Sequence, residues 1–567
     1  MRYWARALSA MLVALALAVT VAACGGDDNG SSTTSQSSGS STSGGGGGST
    51  EGARQGGTAT VLMGTAPDYL DPQLAYTTQA VEAHWISYTG LLTYRHEEGE
   101  PGTQLIPGLA DALPRISDDG RTYEFTLRRG LRYSDGTPVR ASDYPYSIER
   151  MIRVPWGGRS FVTNYVVGAA DFDEGRARSI SGITADDATG RITIRLREAY
   201  GAFSNVLAFP ALAFVPRGTP IRNLSNDPPP GVGAYMLTDV VPNRTFTLRR
   251  NPEFAAFRIP DIPVGNLDSI RVNIVSNTNS EAQQVLNNQA DIFDPGDTLP
   301  PALLPQIEAQ ARSRFARKPV PSTFYFFLNT TKPPFDNEKA RIAVNMAIDR
   351  DALSRIASGF LETDCFFIPR GIVGHPTSEC PYGDTPDLEG AQRMLREAGL
   401  EGAPVTVWGQ ERSPRKEYID YYTDLLNRIG FRATERIIAD TVYFPTIGNA
   451  RTDPQTGFAD WLQDFPNPSD FYLLMDGRSI QPTNNQNFSK VNDPFIQREL
   501  RKLNAVPATE LDSVADEWAA LDEYVARRAY VAVYGAEAVP KFFSDKLNFD
   551  AVFHPLYFND WSTVALR

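Results

Sequence analysis

Histidine and cysteine are scarce in this chain, with four of the one and three of the other in 567 residues. The available general bases near neutral pH are His84, His96, His375 and His554, and none sits in a recognisable constellation. There is no Gly-x-Ser-x-Gly elbow, no His-Glu-x-x-His, no Walker-type loop and no Cys-x-x-Cys. A secreted hydrolase is therefore a secondary reading, and no cofactor and no catalytic or metal-binding residue is expected. Positive charge is also short: 54 Lys and Arg stand against 67 Asp and Glu, for a formal net charge of −13 with no evident basic patch. That balance argues against nucleic acid or anionic lipid as a partner. Beyond the N-terminus no apolar run approaches the roughly 18 residues a spanning helix needs.

What is present begins with an address. Arg2 and Arg6 precede an apolar run from Ala7 to Val21, and Val21-Ala22-Ala23-Cys24 ends it with small residues before a cysteine. This ending resembles a bacterial lipobox, which implies cleavage of residues 1–23 and lipid attachment to Cys24. The expected location is the outer face of the cytoplasmic membrane, extracytoplasmic or periplasmic, with the membrane reached through the N-terminal lipid. Residues 24–56 are almost all Gly, Ser, Thr and other polar types, which cannot bury a core and read as a flexible tether. A folded body is expected from Gly57 onward, and a hydrophobic fraction of 42% is ample for its core.

Cysteine use fits export. Apart from Cys24, only Cys365 and Cys380 occur, flanking a short loop with Pro369, Gly371, Gly374 and Pro376, and a disulfide between them is expected. Two cysteines with only His375 between them make a poor zinc set.

Along the body, Gly57 to Met63 reads as a first strand, and Asp118-Asp119-Gly120 as a turn before the alternating strand Thr122 to Arg128. Ser142 or Asp143 can cap a helix running through Ile148 to Met151. Asp336 is placed to cap the next long helical pattern, and Asp387 to cap Leu388 to Ala398 with Gly399 as its C′ residue. Gly231-Val232-Gly233 lacks the Lys-Ser/Thr of a phosphate loop, so its glycines read as a tight backbone path. The stretch Ala459 to Gly477 mixes Asp460, Asp464 and Asp470 with Trp461, Phe465, Phe471 and Tyr472, and Pro466 and Pro468 stop any helix or central strand there. It reads either as a solvated turn or as a ligand-facing loop.

The run Arg121 to Arg150, RTYEFTLRRGLRYSDGTPVRASDYPYSIER, resembles the signature of the family 5 extracellular solute-binding proteins, the oligopeptide-, dipeptide- and nickel-type components of bacterial ABC importers. Further segments fall in the family's order: GGTATVLMGTAPDYLDPQLAY, LIPGLADAL, Gly231 to Tyr235 with Arg249-Arg250-Asn251-Pro252, NTTKPPFDNEKARIAVNMAIDRDAL and DLEGAQRMLREAGL. The resemblance implies an α/β, two-lobed periplasmic-binding-protein-like fold (class II, cluster C type) with a small inserted domain. Lobe I would comprise 57–92, 229–321 and 537–567, the inserted domain 93–228, and lobe II 322–536. Hinge candidates are the strand crossings near Phe324 to Asn329 and Val531 to Ala536.

The same resemblance implies recognition without chemistry. A monomer would capture a peptide-like solute between its lobes and deliver it to ABC importer permease subunits. In the family an acidic residue three positions after a tryptophan takes the peptide's α-ammonium, and Trp461-x-x-Asp464 matches that pattern. Asp464 is thus the expected charge anchor and Trp461 the cleft wall, with Tyr69, Asn484 and Asn485 as further ligand-binding candidates and Tyr76 and Asn487 beside them. Arg370, Arg412 and Arg415 are equivalent candidates for a ligand carboxylate. The Pro466-Asn467-Pro468 loop also resembles members with non-peptide ligands, so a nickel chelate, oligosaccharide, opine or haem are the alternatives.

Overall fold

The computed structural model describes residues 54–294 and 299–567. The leader, Cys24 and nearly all of the Gly/Ser-rich segment lie outside the described residues. Among the described residues no helix is long and apolar enough to cross a membrane.

Twelve described strands join into one mixed sheet. From one edge the path runs Arg432–Ile438, Pro404–Gln410, Thr456–Leu462, Ser322–Leu328, Val531–Phe543, Ile292–Asp294, Thr58–Met63, Ser269–Ile274, Thr245–Arg250 and Tyr235–Val241. Ser322–Leu328 is buried at every position, and after Ser322 and Thr323 its sequence runs FYFFL without polar alternation, as burial on both faces requires. The long strand Val531–Phe543 changes partner at its middle. Its first half pairs with Ser322–Leu328, and its second half, from Ala538, pairs with Phe315–Pro319 and then Ile292–Asp294. The chain therefore crosses between the two halves of the sheet at Val320-Pro321 and near Glu537.

A separate four-stranded antiparallel sheet is built from Arg115–Ile116, Thr122–Thr126, Arg191–Arg195 and Ile183–Asp186. In Thr122–Thr126 only Tyr123 and Phe125 are buried, as the out-and-in alternation requires. The helix Asp143–Arg153 follows, and its Arg150 is fully buried. The Arg150 guanidinium donates to both carboxylate oxygens of Asp71, at 2.9 and 2.6 Å, and to Gln73 Oε1 at 2.8 Å and the Pro220 and Arg222 carbonyls at 2.9 and 3.0 Å. One charged pair thus ties this region to the loop that leaves the first strand.

Local signals map closely. Asp387 accepts from the Gly390 amide at 2.7 Å at the start of Leu388–Glu397, and Gly399 takes the left-handed conformation just after the helix end. The helix Glu338–Ala347 is capped by Asn337, which accepts from the Lys339 amide, so the cap stands one residue after the expected Asp336. A Cβ at Gly231 or Gly233 would lie 2.5 Å from backbone atoms of Ser87, which accounts for both glycines as a close crossing of two chain segments. Cys365 and Cys380 form a disulfide with their Cα atoms 6.0 Å apart. Asp522 anchors the start of that loop, accepting from the Phe367 and Ile368 amides and from the Tyr472 hydroxyl.

Candidate functional site

Residues just beyond the carboxyl ends of parallel strands converge on one cavity, where open α/β sheets characteristically present ligand-binding loops. Thr65 and Asp68 follow Thr58–Met63; Gln410 and Arg412 end or follow Pro404–Gln410; Asp440 follows Arg432–Ile438; Asp464 follows Thr456–Leu462. Tyr76, Arg415, Phe444, Asp460, Trp461, Gln486, Glu537 and Phe558 complete most of the lining. The cavity has a volume of about 150 Å³.

The acidic loop enters by its central member. The Tyr76 hydroxyl donates to Asp464 Oδ2 at 2.8 Å, and the Asp464 amide donates to Asp470 Oδ2 at 2.7 Å. Trp461 Nε1 donates to Asp470 Oδ1 at 3.2 Å, so Asp470 fixes both the indole and the loop backbone. Asp470 belongs to the short helix Pro468–Phe471, which Asn467 caps through the Ser469 amide. Tyr76 stands edge-on to Trp461, with centroids 5.6 Å apart, and to Trp156 at 5.3 Å, so the ring that touches Asp464 is braced from both sides.

Among the described residues no cation lies within ion-pair distance of Asp464. Enclosure away from bulk water pushes its carboxyl up to about 7, with the Tyr76 hydrogen bond opposing the shift. Enclosure also raises Asp68, to about 6, although it accepts from the Tyr69 and Tyr76 amides and the Thr77 hydroxyl. Asp470 is raised well above the carboxylate range, first by burial and then by the neighbouring Asp464 charge.

The two arginines of the lining are occupied within the protein. Arg415 places Nη2 2.8 Å from Asp460 Oδ2 and donates from Nη1 to Gln410 Oε1 at 2.9 Å, while its guanidinium lies 4.6 Å over the Phe458 ring. Arg412 Nε is 3.5 Å from Asp440 Oδ1, and the Thr65 hydroxyl bonds the other oxygen of Asp440. Arg370, the third arginine candidate, lies in a different depression beside Asp364 and the disulfide.

Besides Arg370, the sequence candidates Tyr69, Asn484, Asn485 and Asn487 do not line the cavity. Tyr69 faces a separate surface depression with Asn223 and Arg244, and Tyr76 takes the inward place. Asn484 donates to the Pro155 carbonyl in a left-handed turn, and Asn485 donates to the Asn487 carbonyl; their amides are spent on holding that turn, and the next residue, Gln486, reaches the cavity instead. Asp68, Asp440 and Glu537 are lining residues that motif reading missed, and Asp460, named with the acidic loop, lines the cavity as well; the signal for Asp68 and Asp440 was their position just after strands. Among the described residues no group of three His, Cys, Asp or Glu side chains could hold a metal ion.

Comparison with known proteins decides the family. The model of the bacterial extracellular solute-binding proteins, family 5 Middle, matches residues 104–482, well over half of the chain. The chain belongs to this family. Among its relatives in the family, the glutathione-binding protein GsiB of Escherichia coli (strain K12) is 27% identical over 378 residues, 66% of this chain and 68% of that one. The Haemophilus influenzae OppA in complex with RPPGFSPFR superposes with a TM-score of 0.79 at 17% identity, covering 91% of this chain and 99% of that one. The clavulanic acid biosynthesis oligopeptide binding protein 2 gives 0.78 at 24% identity, covering 90% and 96%. These likenesses establish the two-lobed α/β fold of periplasmic binding proteins.

Proposed function

We propose that this family 5 chain captures a short peptide by its free α-amino group and delivers it to the permease of an ABC importer. The observation that carries the reading is Asp464, a cavity-lining carboxylate that accepts from the Tyr76 hydroxyl at 2.8 Å and has, among the described residues, no cation of its own. An α-ammonium would supply the missing charge, and a charge-assisted hydrogen bond of this kind contributes on the order of 1.5–3 kcal/mol. Trp461 forms the adjacent wall. Relatives support the substrate class: GsiB is a glutathione-binding protein, and the Haemophilus influenzae neighbour was solved with a peptide.

In this reading residues 57–92, 229–321 and 537–567 form one lobe and 322–536 the other, with 93–228 inserted. Closure bends the chain where Val531–Phe543 changes partner, and the ligand stabilises the closed arrangement by contacting both sides. Lipid attachment at Cys24 would hold this monomeric protein at the outer face of the membrane, where it acts by recognition without chemistry. Replacing Asp464 by Ala should weaken a free-amine peptide tenfold or more and leave its N-acetylated form nearly unaffected, as read by isothermal titration calorimetry. Equal losses for both forms would refute the role.

A further inference from the structure

A small apolar cluster stands apart from the main core, at the place where the two halves of the sheet meet. Val320, Phe553 and Phe558 are its buried members, and Leu462 and Val539 pack against them while staying only partly buried. Leu462, Val539 and Phe558 also line the cavity that Asp464 borders, so the cluster presents an apolar wall to it. Leu462 ends the strand Thr456–Leu462, Val539 lies in the second half of Val531–Phe543, and Phe558 belongs to a short hairpin with Phe553–His554. Phe558 is held in the left-handed region, at φ 55°, where a bulky side chain is an outlier that persists only when its surroundings impose it. Those surroundings are specific. Its ring lies nearly parallel to that of Phe553, with centroids 5.7 Å apart and planes 11° apart, and the Phe553 amide donates to Glu98 Oε1 at 3.0 Å. The strained backbone thus delivers a large ring to the cavity wall, and conformations of this kind cluster at ligand clamps.

Leu462 and Asp464 are two positions apart, which keeps their Cα atoms within about 7 Å of each other. An ammonium held by Asp464 therefore brings the side chain of its own residue within reach of the wall. An apolar side chain seated there removes two apolar surfaces from water. A polar one would lose its hydration against side chains that offer neither donor nor acceptor. We propose that the N-terminal residue of the captured peptide carries an aliphatic or aromatic side chain, seated on Leu462, Val539 and Phe558. The inference rests on the peptide reading above and narrows it. Leu462 belongs to one lobe of that reading and Val539 and Phe558 to the other, so the same side chain spans the chain crossing and stabilises the closed arrangement together with Asp464.

The test is calorimetric titration of the purified full chain with Leu-Ala-Ala, Asn-Ala-Ala and Ala-Leu-Ala. Asparagine keeps the branched shape of leucine and makes it polar, and the third peptide moves the leucine one residue along. Leu-Ala-Ala is expected to bind about tenfold or more tightly than either of the others. Val539→Thr, which exchanges a methyl of the wall for a hydroxyl, should cut the preference for Leu-Ala-Ala over Asn-Ala-Ala by about threefold or more. Asn-Ala-Ala or Ala-Leu-Ala binding as tightly as Leu-Ala-Ala, or an unchanged preference in Val539→Thr, would overturn the inference and leave the peptide reading standing. Binding of none of the three would overturn both.

Discussion

Asp71 and Asp464 are aspartates of one chain, each held by specific hydrogen bonds, yet the protein treats them in opposite ways. Asp71 is fully buried and meets a fully buried guanidinium, that of Arg150, through both oxygens. Asp464 borders the cavity and is given a phenol but, among the described residues, no cation. The first arrangement is closed: every strong partner is present, and its product is a fixed loop. The second is open, and the charge it lacks is what an incoming ammonium carries. The two are also connected, because the Asp71 clamp fixes the loop that continues to Tyr76, the residue that touches Asp464. Compensation at one aspartate is thus what makes the absence of compensation at the other precise in space.

Breaking the closed pair should have the largest effect. Arg150→Ala leaves the Asp71 carboxylate buried without its partner and should cost about 3–5 kcal/mol of stability, measured by urea denaturation. Replacing both partners by apolar residues, Arg150→Met with Asp71→Leu, should recover much of that loss. A single variant within about 1 kcal/mol of the parent would show that the clamp is not the staple described.

The open aspartate should announce itself through pH. Its carboxyl is raised to about 7 by enclosure, so the empty site is partly protonated at neutral pH, whereas an ammonium requires the carboxylate. Affinity for a free-amine peptide should therefore fall by up to about tenfold for each unit below 7, the linkage of a single proton. Above about 8 the peptide's own α-amino group loses its proton, so binding should be strongest between about 7 and 8. The sign for stability is the reverse. With the folded pKa above the unfolded value, this group stabilises the empty protein fully below about 4 and loses that contribution as pH rises through about 7. Calorimetry in buffers of different ionisation enthalpy would count the released proton, and a flat affinity profile from about pH 5.5 to 7.5 would remove the proton-linked role.

The contrast also explains what could be read from the sequence. Trp461-x-x-Asp464 could be singled out in the sequence because it matches a pattern of the family the chain resembles, and the helix capped by Asp387 because caps are local chemistry. Arg150 is named by the family run, but its pairing with Asp71 spans a long stretch of chain and has no local signature. Without that clamp, Tyr69 and Tyr76 are indistinguishable aromatics on one loop, and the choice between them is made by packing against Trp156 and Trp461. The Asn484 to Gln486 turn failed for a similar reason: polar residues near the cleft look alike until the backbone claims the amides of the first two. Asp336 and Asn337 differ by one position, within the uncertainty of any helix boundary read from sequence.

Tyr76 links the two regimes and allows the finest test. Its hydroxyl stabilises the charged form of Asp464 and is, among the described residues, the one side-chain bond opposing the upward shift of that carboxyl. Tyr76→Phe keeps the ring and its contacts with Trp156 and Trp461 while removing that bond, so the Asp464 carboxyl should titrate higher still. At pH 7 fewer molecules would then hold the carboxylate, and affinity for a free-amine peptide should fall by about two- to fivefold, consistent with a net hydrogen-bond contribution of about 0.5–1 kcal/mol. At pH 8 most of that loss should disappear, because the carboxylate forms in both proteins. A loss that persists unchanged at pH 8 would mean that the phenol contacts the ligand directly, and an unchanged affinity at both values would mean that Asp464 does not need its donor.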